Sequence, residues 1–188
     1  MPAATCAAAG SLATAPEDSV ELAIAVDPQA PPTDAQLELV GSLAEARAAA
    51  TRIAQLSQRL LTIHTHDLEP AIFESAPFLN AVKRLVLGRR FAKVRVLIVD
   101  PARIHYEHNP FIVLARKLTS YIEIRHAAAD FRGDPSSYIV ADDHAFLCRL
   151  QETRWEGISH IRAPLAARAF LDRFDLAWTG SGPDRARS

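Results

Sequence analysis

Residues 94–100, which read Val-Arg-Val-Leu-Ile-Val-Asp, constrain the fold more than any other part of the sequence. Their apolar and β-branched side chains predict a strand in the interior of a sheet. Helical patterns precede and follow this run, over residues 75–88 and 109–121. A strand between two helices pairs with its neighbours in parallel through crossovers, so the pattern predicts an α/β protein.

The remaining elements are predicted by the same changes between period two and period 3.6. Ser42 and Glu45 have capping-box spacing at the start of a helix whose apolar face ends at Leu56. Gly88 is interpreted as the left-handed C-cap of the second helix, and the basic pair Arg89-Arg90 as its solvated end. The other predicted elements are strands at residues 60–65, 122–124, 137–141 and 145–150 and a helix from about 164 to 178.

This order predicts a mixed, mainly parallel sheet with helices on both faces. Residues 1–18 are rich in Ala, Thr, Ser and Pro and are expected to form a flexible tail. Residues 19–35 are interpreted as a short strand and a Pro-rich linker, residues 36–179 as the α/β domain, and residues 180–188 as a second flexible tail.

The composition excludes several classes of protein. With 21 basic and 22 acidic residues the formal net charge is -1, which argues against a dedicated nucleic-acid binder. Two cysteines, Cys6 and Cys148, do not suggest a disulfide framework. The sequence contains no signal-peptide pattern and no apolar run long enough to cross a bilayer, so the cytoplasm is the expected location.

Polar side chains follow the predicted core strands. In α/β sheets ligands bind beyond the carboxyl ends of parallel strands, so these residues are candidates for holding a small anion. The plainer alternative is that they cap helices and begin loops. The candidate ligand-binding residues are His66, Asp67, Asp100, Arg103, Arg125 and Asp142.

The sequence shows no complete metal, cofactor or nucleophile motif. His64 and His66 fall on one face of a strand, and His105 and His108 lie three apart, but a zinc site also needs a third ligand. Gly-x-Ser-x-Gly and Gly-x-x-x-x-Gly-Lys are both missing. Cys148 lies within a strand, where a thiol is buried and inert. We therefore predict no catalytic residue, metal ligand or cofactor.

Three segments carry a resemblance to a known family: residues 61–70 (Leu-Thr-Ile-His-Thr-His-Asp-Leu-Glu-Pro), residues 94–101 and residues 114–125. From about residue 43 to residue 178 the chain resembles an uncharacterised bacterial domain that is related to one half of the phospholipase D-like fold. That domain often occurs behind an acetyltransferase domain, which implies such a domain or protein as a partner. The two-half architecture of the superfamily implies a homodimer.

Phospholipase D-like enzymes use the motif His-x-Lys-x-x-x-x-Asp. If Asp142 matches the final Asp, Pro135 stands at the position of the His and Ser137 at that of the Lys. If Asp143 matches the final Asp instead, Ser136 stands at the position of the His and Tyr138 at that of the Lys. In addition, none of the three lysines in the chain has a His two residues before it. Neither Pro nor Ser can replace an imidazole as nucleophile or proton donor, so the phosphodiesterase chemistry is not expected.

The acetyl-CoA motif of acetyltransferases finds no counterpart either, since the nearest match, residues 154–159, does not lead into a helix.

Two hypotheses remain. The first is a non-catalytic binding or interaction module that senses a small anionic ligand near His66, Arg103 and Arg125. The second is a hydrolase or transferase whose unrecognised site combines Asp67, Asp100, His66 and His126.

Overall fold

Three parallel strands lie side by side in the sheet, as the alternation of strands and helices predicts. The computed structural model describes residues 37–104, 108–151 and 153–183, so the predicted tail at 1–18 and the segment 19–35 lie outside the described residues. The strands are β1 Leu37–Val40, β2 Leu60–Thr65, β3 Lys93–Ile98, β4 Ile122–His126, β5 Ser137–Ala141, β6 Ala145–Arg149, β7 Gly157–His160 and β8 Gly182–Pro183. The helices are α1 Leu43–Leu56, α2 Pro70–Phe73, α3 Ala76–Gly88, α4 Pro110–Lys117 and α5 Pro164–Gly180.

The strand order is β1-β7-β6-β5-β2-β3-β4-β8. Among the strands of the described ranges, only β2, β3 and β4 pair in parallel. Strand β5 runs antiparallel to β2, and β6, β7 and β1 continue the antiparallel half. The mixed sheet is therefore as predicted, but it is mostly antiparallel rather than mainly parallel. The physical reason is that no helix separates β5, β6 and β7, and short connections join only antiparallel neighbours.

Local signals at the helix ends are confirmed in most places. The Ser42 hydroxyl accepts from the Glu45 N–H at 3.3 Å, and the Glu45 carboxylate accepts from the Ser42 N–H at 3.1 Å, which completes the capping box. The Gly88 prediction is wrong: no described glycine has a positive φ, and α3 ends as Arg89 becomes extended. Helix α4 ends at Lys117, earlier than expected.

The sheet separates two hydrophobic cores. Side chains of β2 alternate, so that Leu61 and Ile63 join α1 and α3 in the larger core. On the other face, Tyr138 and Cys148 join Phe174 and Trp178 of α5 in the smaller core. None of the helices in the described ranges combines the length and the apolar character that a bilayer crossing requires.

Four short elements were not predicted: α2, β1, β7 and β8. Each has four residues or fewer, and the edge strand β1 pairs with β7 from Leu37 opposite His160 to Val40 opposite Gly157. Strand β8 pairs with β4, so part of the expected tail at 180–188 belongs to the sheet. Tertiary pairing specifies these elements, because such short runs have little periodicity of their own.

Candidate functional site

The carboxyl ends of β2 and β3 lie side by side. The Val99 N–H donates to the Thr65 carbonyl at 3.0 Å, and the Asp100 N–H donates to the His66 carbonyl at 2.8 Å. His66 and Asp100 are thus neighbours at this edge, with Asp67 next along the chain, as expected for strand ends of a parallel pair. Of Arg103 the structure describes only the backbone, in a 3-10 turn that follows β3.

Asp100 has a capping role. Its carboxylate accepts from the Ala102 N–H at 3.0 Å and so begins the 3-10 turn at Pro101–Arg103. This is the plainer of the two alternatives that the sequence leaves open for the residue.

Arg125 holds the end of α5 against β4. Its guanidinium donates to the carbonyl of Trp178 at 2.9 Å and to that of Ser181 at 3.3 Å, and it pairs with Glu123 at 2.8 Å. The same group lies 4.3 Å from the centre of a Trp178 ring. Because carbonyls in the last turn of a helix lack partners within the helix, Arg125 acts as a side-chain cap.

Asp142 lies at the opposite end of β2 from His66. Since β5 is antiparallel to β2, with Leu61 opposite Ala141, the residue that follows β5 reaches the amino end of β2. There the Asp142 carboxylate accepts from three consecutive backbone N–H groups, those of Gln58, Arg59 and Leu60, at 2.8–2.9 Å. The structure therefore separates Asp142 from the other predicted site residues, because the sequence pattern did not reveal the direction of β5.

A cavity of about 240 Å³ lies at the carboxyl edge, on the α5 face of the sheet. Pro135, which stands at the position of the catalytic His in the resemblance, lines it together with Asp134 and Arg173. Asp134 accepts from the Ser136 hydroxyl at 2.6 Å and pairs with Arg173 at 2.7 Å. The guanidinium of Arg173 is thereby paired with a carboxylate of the same cavity.

His64 also lines this cavity, although the sequence did not single it out as a ligand-binding residue. Its Nδ1 lies 3.0 Å from the Ser136 carbonyl, and its ring stacks on Tyr138 at 4.8 Å with an interplanar angle of 7°. A carbonyl oxygen only accepts, so Nδ1 carries the proton. Burial lowers the pKa of the imidazole, and the neutral ring keeps Nε2 as an acceptor.

Two further reactive groups on this face are unsuited to nucleophilic chemistry. Burial raises the pKa of the Cys148 thiol to about 12, and it raises the pKa of the Tyr138 hydroxyl as well. Both groups are therefore protonated at neutral pH, which agrees with the prediction of an inert thiol at Cys148.

A second concave surface lies between α1 and α3 and is basic. Arg84 and Arg89, with Gln55 and Ser57, line a cavity of about 280 Å³. Arg84 and Gln55 also line an adjoining cavity of about 550 Å³, together with Lys83 and Asn80. Among the described residues that line the two cavities, none is acidic. We call the two cavities together the basic groove.

The sequence contains a signal for this groove, and it lies away from the polar ends of the strands. Between residues 76 and 99 the chain has six basic residues and no acidic one. The balanced total charge conceals this segregation. Lys83, Arg84 and Arg89 line the groove, and the other three are Arg90, Lys93 and Arg95. Arg95 is not part of the groove, since it pairs with Asp175 of α5 on the other face of the sheet.

Three solved structures share the fold. TrmBL2, an archaeal chromatin protein whose structure shows a novel mode of DNA binding, is 13% identical with a TM-score of 0.60; the match covers 85% of this chain and 57% of TrmBL2. Nuc, a phospholipase D family member from Salmonella typhimurium, is 15% identical with a TM-score of 0.55, over 80% of this chain and 100% of Nuc. NucT from Helicobacter pylori is 12% identical with a TM-score of 0.52, over 79% of this chain and 99% of NucT.

These likenesses confirm the phospholipase D-like fold, and the chain spans little more than half the length of TrmBL2. No curated protein matches the sequence. The family described as Domain of unknown function (DUF7931) matches residues 42–186, and the chain belongs to that family.

Proposed function

We propose that the chain is a non-catalytic binding module of phospholipase D-like fold that binds an anionic, phosphate-bearing ligand in the basic groove. The observation that carries this proposal is that Lys83, Arg84 and Arg89 line a concave surface where no described lining residue is acidic. Arg and Lys donors without a neighbouring carboxylate are the ordinary means by which proteins hold phosphate groups.

The absence of catalysis is proposed from the residues at the motif positions. Pro135 and Ser137 have neither the imidazole nor the ammonium group that phosphodiester cleavage requires. The Ser137 hydroxyl is buried and donates to the His64 carbonyl at 3.3 Å, and Asp142 is occupied by three backbone N–H groups. These contacts favour a structural role for this part of the chain.

The charge balance favours the basic groove over the carboxyl edge as the anion site. At the carboxyl edge Arg173 pairs with Asp134, and nearby Arg125 pairs with Glu123, so an incoming anion would compete with a resident carboxylate. In the groove, Arg89 has the neutral Gln58 amide as its neighbour, at 3.4 Å. We therefore propose that the anion binds in the groove between α1 and α3 and not near His66, Arg103 and Arg125, where the sequence predicted it.

Isothermal titration with inorganic pyrophosphate at low ionic strength tests the proposal. We expect saturable binding that weakens with added salt, because exposed charges are screened over about 10 Å at 0.1 M salt. The double variant Arg84→Gln/Arg89→Gln should lose most of the affinity. A matched double variant at two exposed arginines outside the groove, Arg154→Gln/Arg162→Gln, should retain it.

Equal affinity for the two double variants would contradict the proposal, and so would the absence of pyrophosphate binding by the unmodified protein. Thermal shift in the presence of pyrophosphate gives an independent readout, since a ligand that binds only the folded state raises its stability.

A homodimer also remains a proposal. Phospholipase D-like enzymes contribute their motif from two halves, and the resemblance of this chain is to one half of that fold. Light scattering at tens of micromolar protein should give twice the chain mass of 20.6 kDa. A monomer at that concentration would contradict the homodimer without affecting the anion site.

A further inference from the structure

We infer that the basic groove is part of a binding site for single-stranded nucleic acid, in which the Phe91 ring stacks on a base. The inference rests on the proposed anion binding in the same groove and names the class of ligand. It depends on three observations: the segregation of charge, the length of the basic surface and the exposure of one aromatic ring.

The charge of the whole chain argues against nucleic acid, but its distribution does not. Residues 76–99 carry six basic residues and no acidic one, while the complete chain has 21 basic and 22 acidic residues. A phosphate backbone interacts with the local field over roughly a Debye length, about 8–10 Å at physiological salt, and not with the net charge. A local group of cations such as Lys83, Arg84 and Arg89 is thus sufficient for contacts with the phosphate backbone of a nucleic acid, even when the net charge of the protein is balanced.

The basic surface is longer than a single phosphate group. Lys83 lies in α3, and Arg89 follows directly after the helix, six residues later. This separation corresponds to about 9 Å along the helix axis at 1.5 Å per residue. Arg84 is shared by the two cavities and connects them. Arg59 and Arg90 are exposed in the chain segments that follow α1 and α3. An extended polyanion fits such a series of cations better than an isolated anion does.

Phe91 supplies an apolar platform at the end of this series. The residue is 79% exposed, and the Arg90 guanidinium lies 5.6 Å from the centre of the Phe91 ring. The Ala92 N–H donates to the Arg89 carbonyl at 3.1 Å, so a turn fixes the backbone that presents the ring. Every nucleobase has a π face, and an aromatic ring among cations is the recurring arrangement of proteins that bind single strands.

A duplex and an anionic membrane fit the same surface less well. A duplex would engage the cations but leave the Phe91 ring without a stacking partner, since its bases are already stacked. A membrane-binding helix needs a continuous apolar face, whereas the apolar stripe of α3, which includes Phe78, Val82 and Leu85, is buried in the core.

Fluorescence anisotropy with a labelled 20-nucleotide oligothymidylate and a duplex of equal length tests the inference. We expect the single strand to bind and its affinity to fall steeply between 50 and 200 mM salt, as phosphate contacts require. Phe91→Ala should weaken single-strand binding about 5- to 150-fold, the range for one base–aromatic stack, and change duplex binding little. Arg84→Gln/Arg89→Gln should weaken both, and Arg154→Gln/Arg162→Gln neither.

Four other outcomes would contradict the inference in whole or in part. If pyrophosphate binds but the oligonucleotide does not, the inference fails and the proposed function stands; if neither binds, both fail. An unchanged single-strand affinity in Phe91→Ala removes the stacking role, and circular dichroism of that variant checks that it is folded. Binding to vesicles of phosphatidylglycerol and phosphatidylcholine without binding to the oligonucleotide would assign the surface to membranes instead.

Discussion

Arg149 donates a hydrogen bond to the carboxylate of Glu69 in the interior of the protein, where the two side chains are 2% and 12% exposed. The Thr65 hydroxyl donates to the second carboxylate oxygen of Glu69 at 3.2 Å, and the Arg149 guanidinium lies 4.9 Å from the centre of a Trp155 ring. The pair thus connects β6 to the segment that follows β2, immediately after Leu68, which has a φ of 54°. Hydrogen bonds on several sides are what makes a buried ion pair tolerable.

Glu69→Ala should destabilise the protein by about 3–5 kcal/mol, because it leaves the Arg149 charge buried without its carboxylate. Urea unfolding at neutral pH measures the loss. The matched control is Glu38→Ala, which removes the exposed Glu38–Arg52 pair and should cost at most about 1 kcal/mol. Equal losses for the two variants would show that the Arg149 pair contributes no more than a surface contact.

The Asp142 carboxylate has a structural role that its place in the motif conceals. Asp142→Ala removes the acceptor for three backbone N–H groups and places an alanine at a φ of 51°, so we expect a loss of at least about 2 kcal/mol. Asp142→Asn keeps one acceptor oxygen and tolerates that φ, so it should lose less. Equal urea midpoints for the Ala and Asn variants would contradict a stabilising role of the hydrogen bonds from the three backbone N–H groups to Asp142.

Much of the fold could be predicted from the sequence because its central elements are specified locally. The capping box of Ser42 and Glu45, the apolar run at 94–99 and the Asn109-Pro110 helix start each depend on neighbours in the chain. The mostly antiparallel sheet was not predicted, because the direction of β5 depends on its pairing with β2 and not on its own residues.

The candidate site was harder to predict, for two physical reasons. Polar residues at strand ends have the same sequence pattern whether they bind ligands or satisfy backbone groups, and Asp100 and Arg125 do the latter. The basic groove combines side chains of α3 with Gln55 and Ser57 of α1 and its end, and only the packing of the two helices brings them together. The segregation of charge over residues 76–99 is the one part of this site that the sequence displays directly.

Gly157 begins β7 where two strands come very close. A Cβ atom at this position would lie 2.4 Å from the Cys148 carbonyl oxygen and 2.9 Å from Cγ of Arg149. Gly157→Ala should therefore force β6 and β7 apart and destabilise the protein by about 1–3 kcal/mol. Gly88→Ala is the matched control, because nothing lies within 4 Å of its added Cβ and alanine favours the helix end. In thermal unfolding, the midpoint temperature should fall for Gly157→Ala and stay the same or rise for Gly88→Ala.

The buried imidazole of His64 should make stability depend on pH. Burial lowers the pKa of His64 from 6.5, and the contributions of Asp134 and the Ser136 carbonyl oppose this shift without cancelling it. The unfolded chain takes up a proton as the pH falls through about 6.5, whereas the folded chain does so only at lower pH. Stability is therefore fully present above pH 6.5 and declines below it, by at most about 1.4 kcal/mol per pH unit for one proton, until the folded-state pKa is reached.

His64→Phe isolates this contribution, because a phenyl ring retains the stack on Tyr138 but cannot titrate. The variant loses the hydrogen bond to the Ser136 carbonyl, so its free energy of unfolding should be lower at every pH. The decisive quantity is the change in that free energy between pH 7.5 and pH 5.5, from urea titrations in matched buffers. We expect a smaller change in His64→Phe than in the unmodified protein; equal changes would mean that His64 is protonated as readily in the folded state as in the unfolded chain.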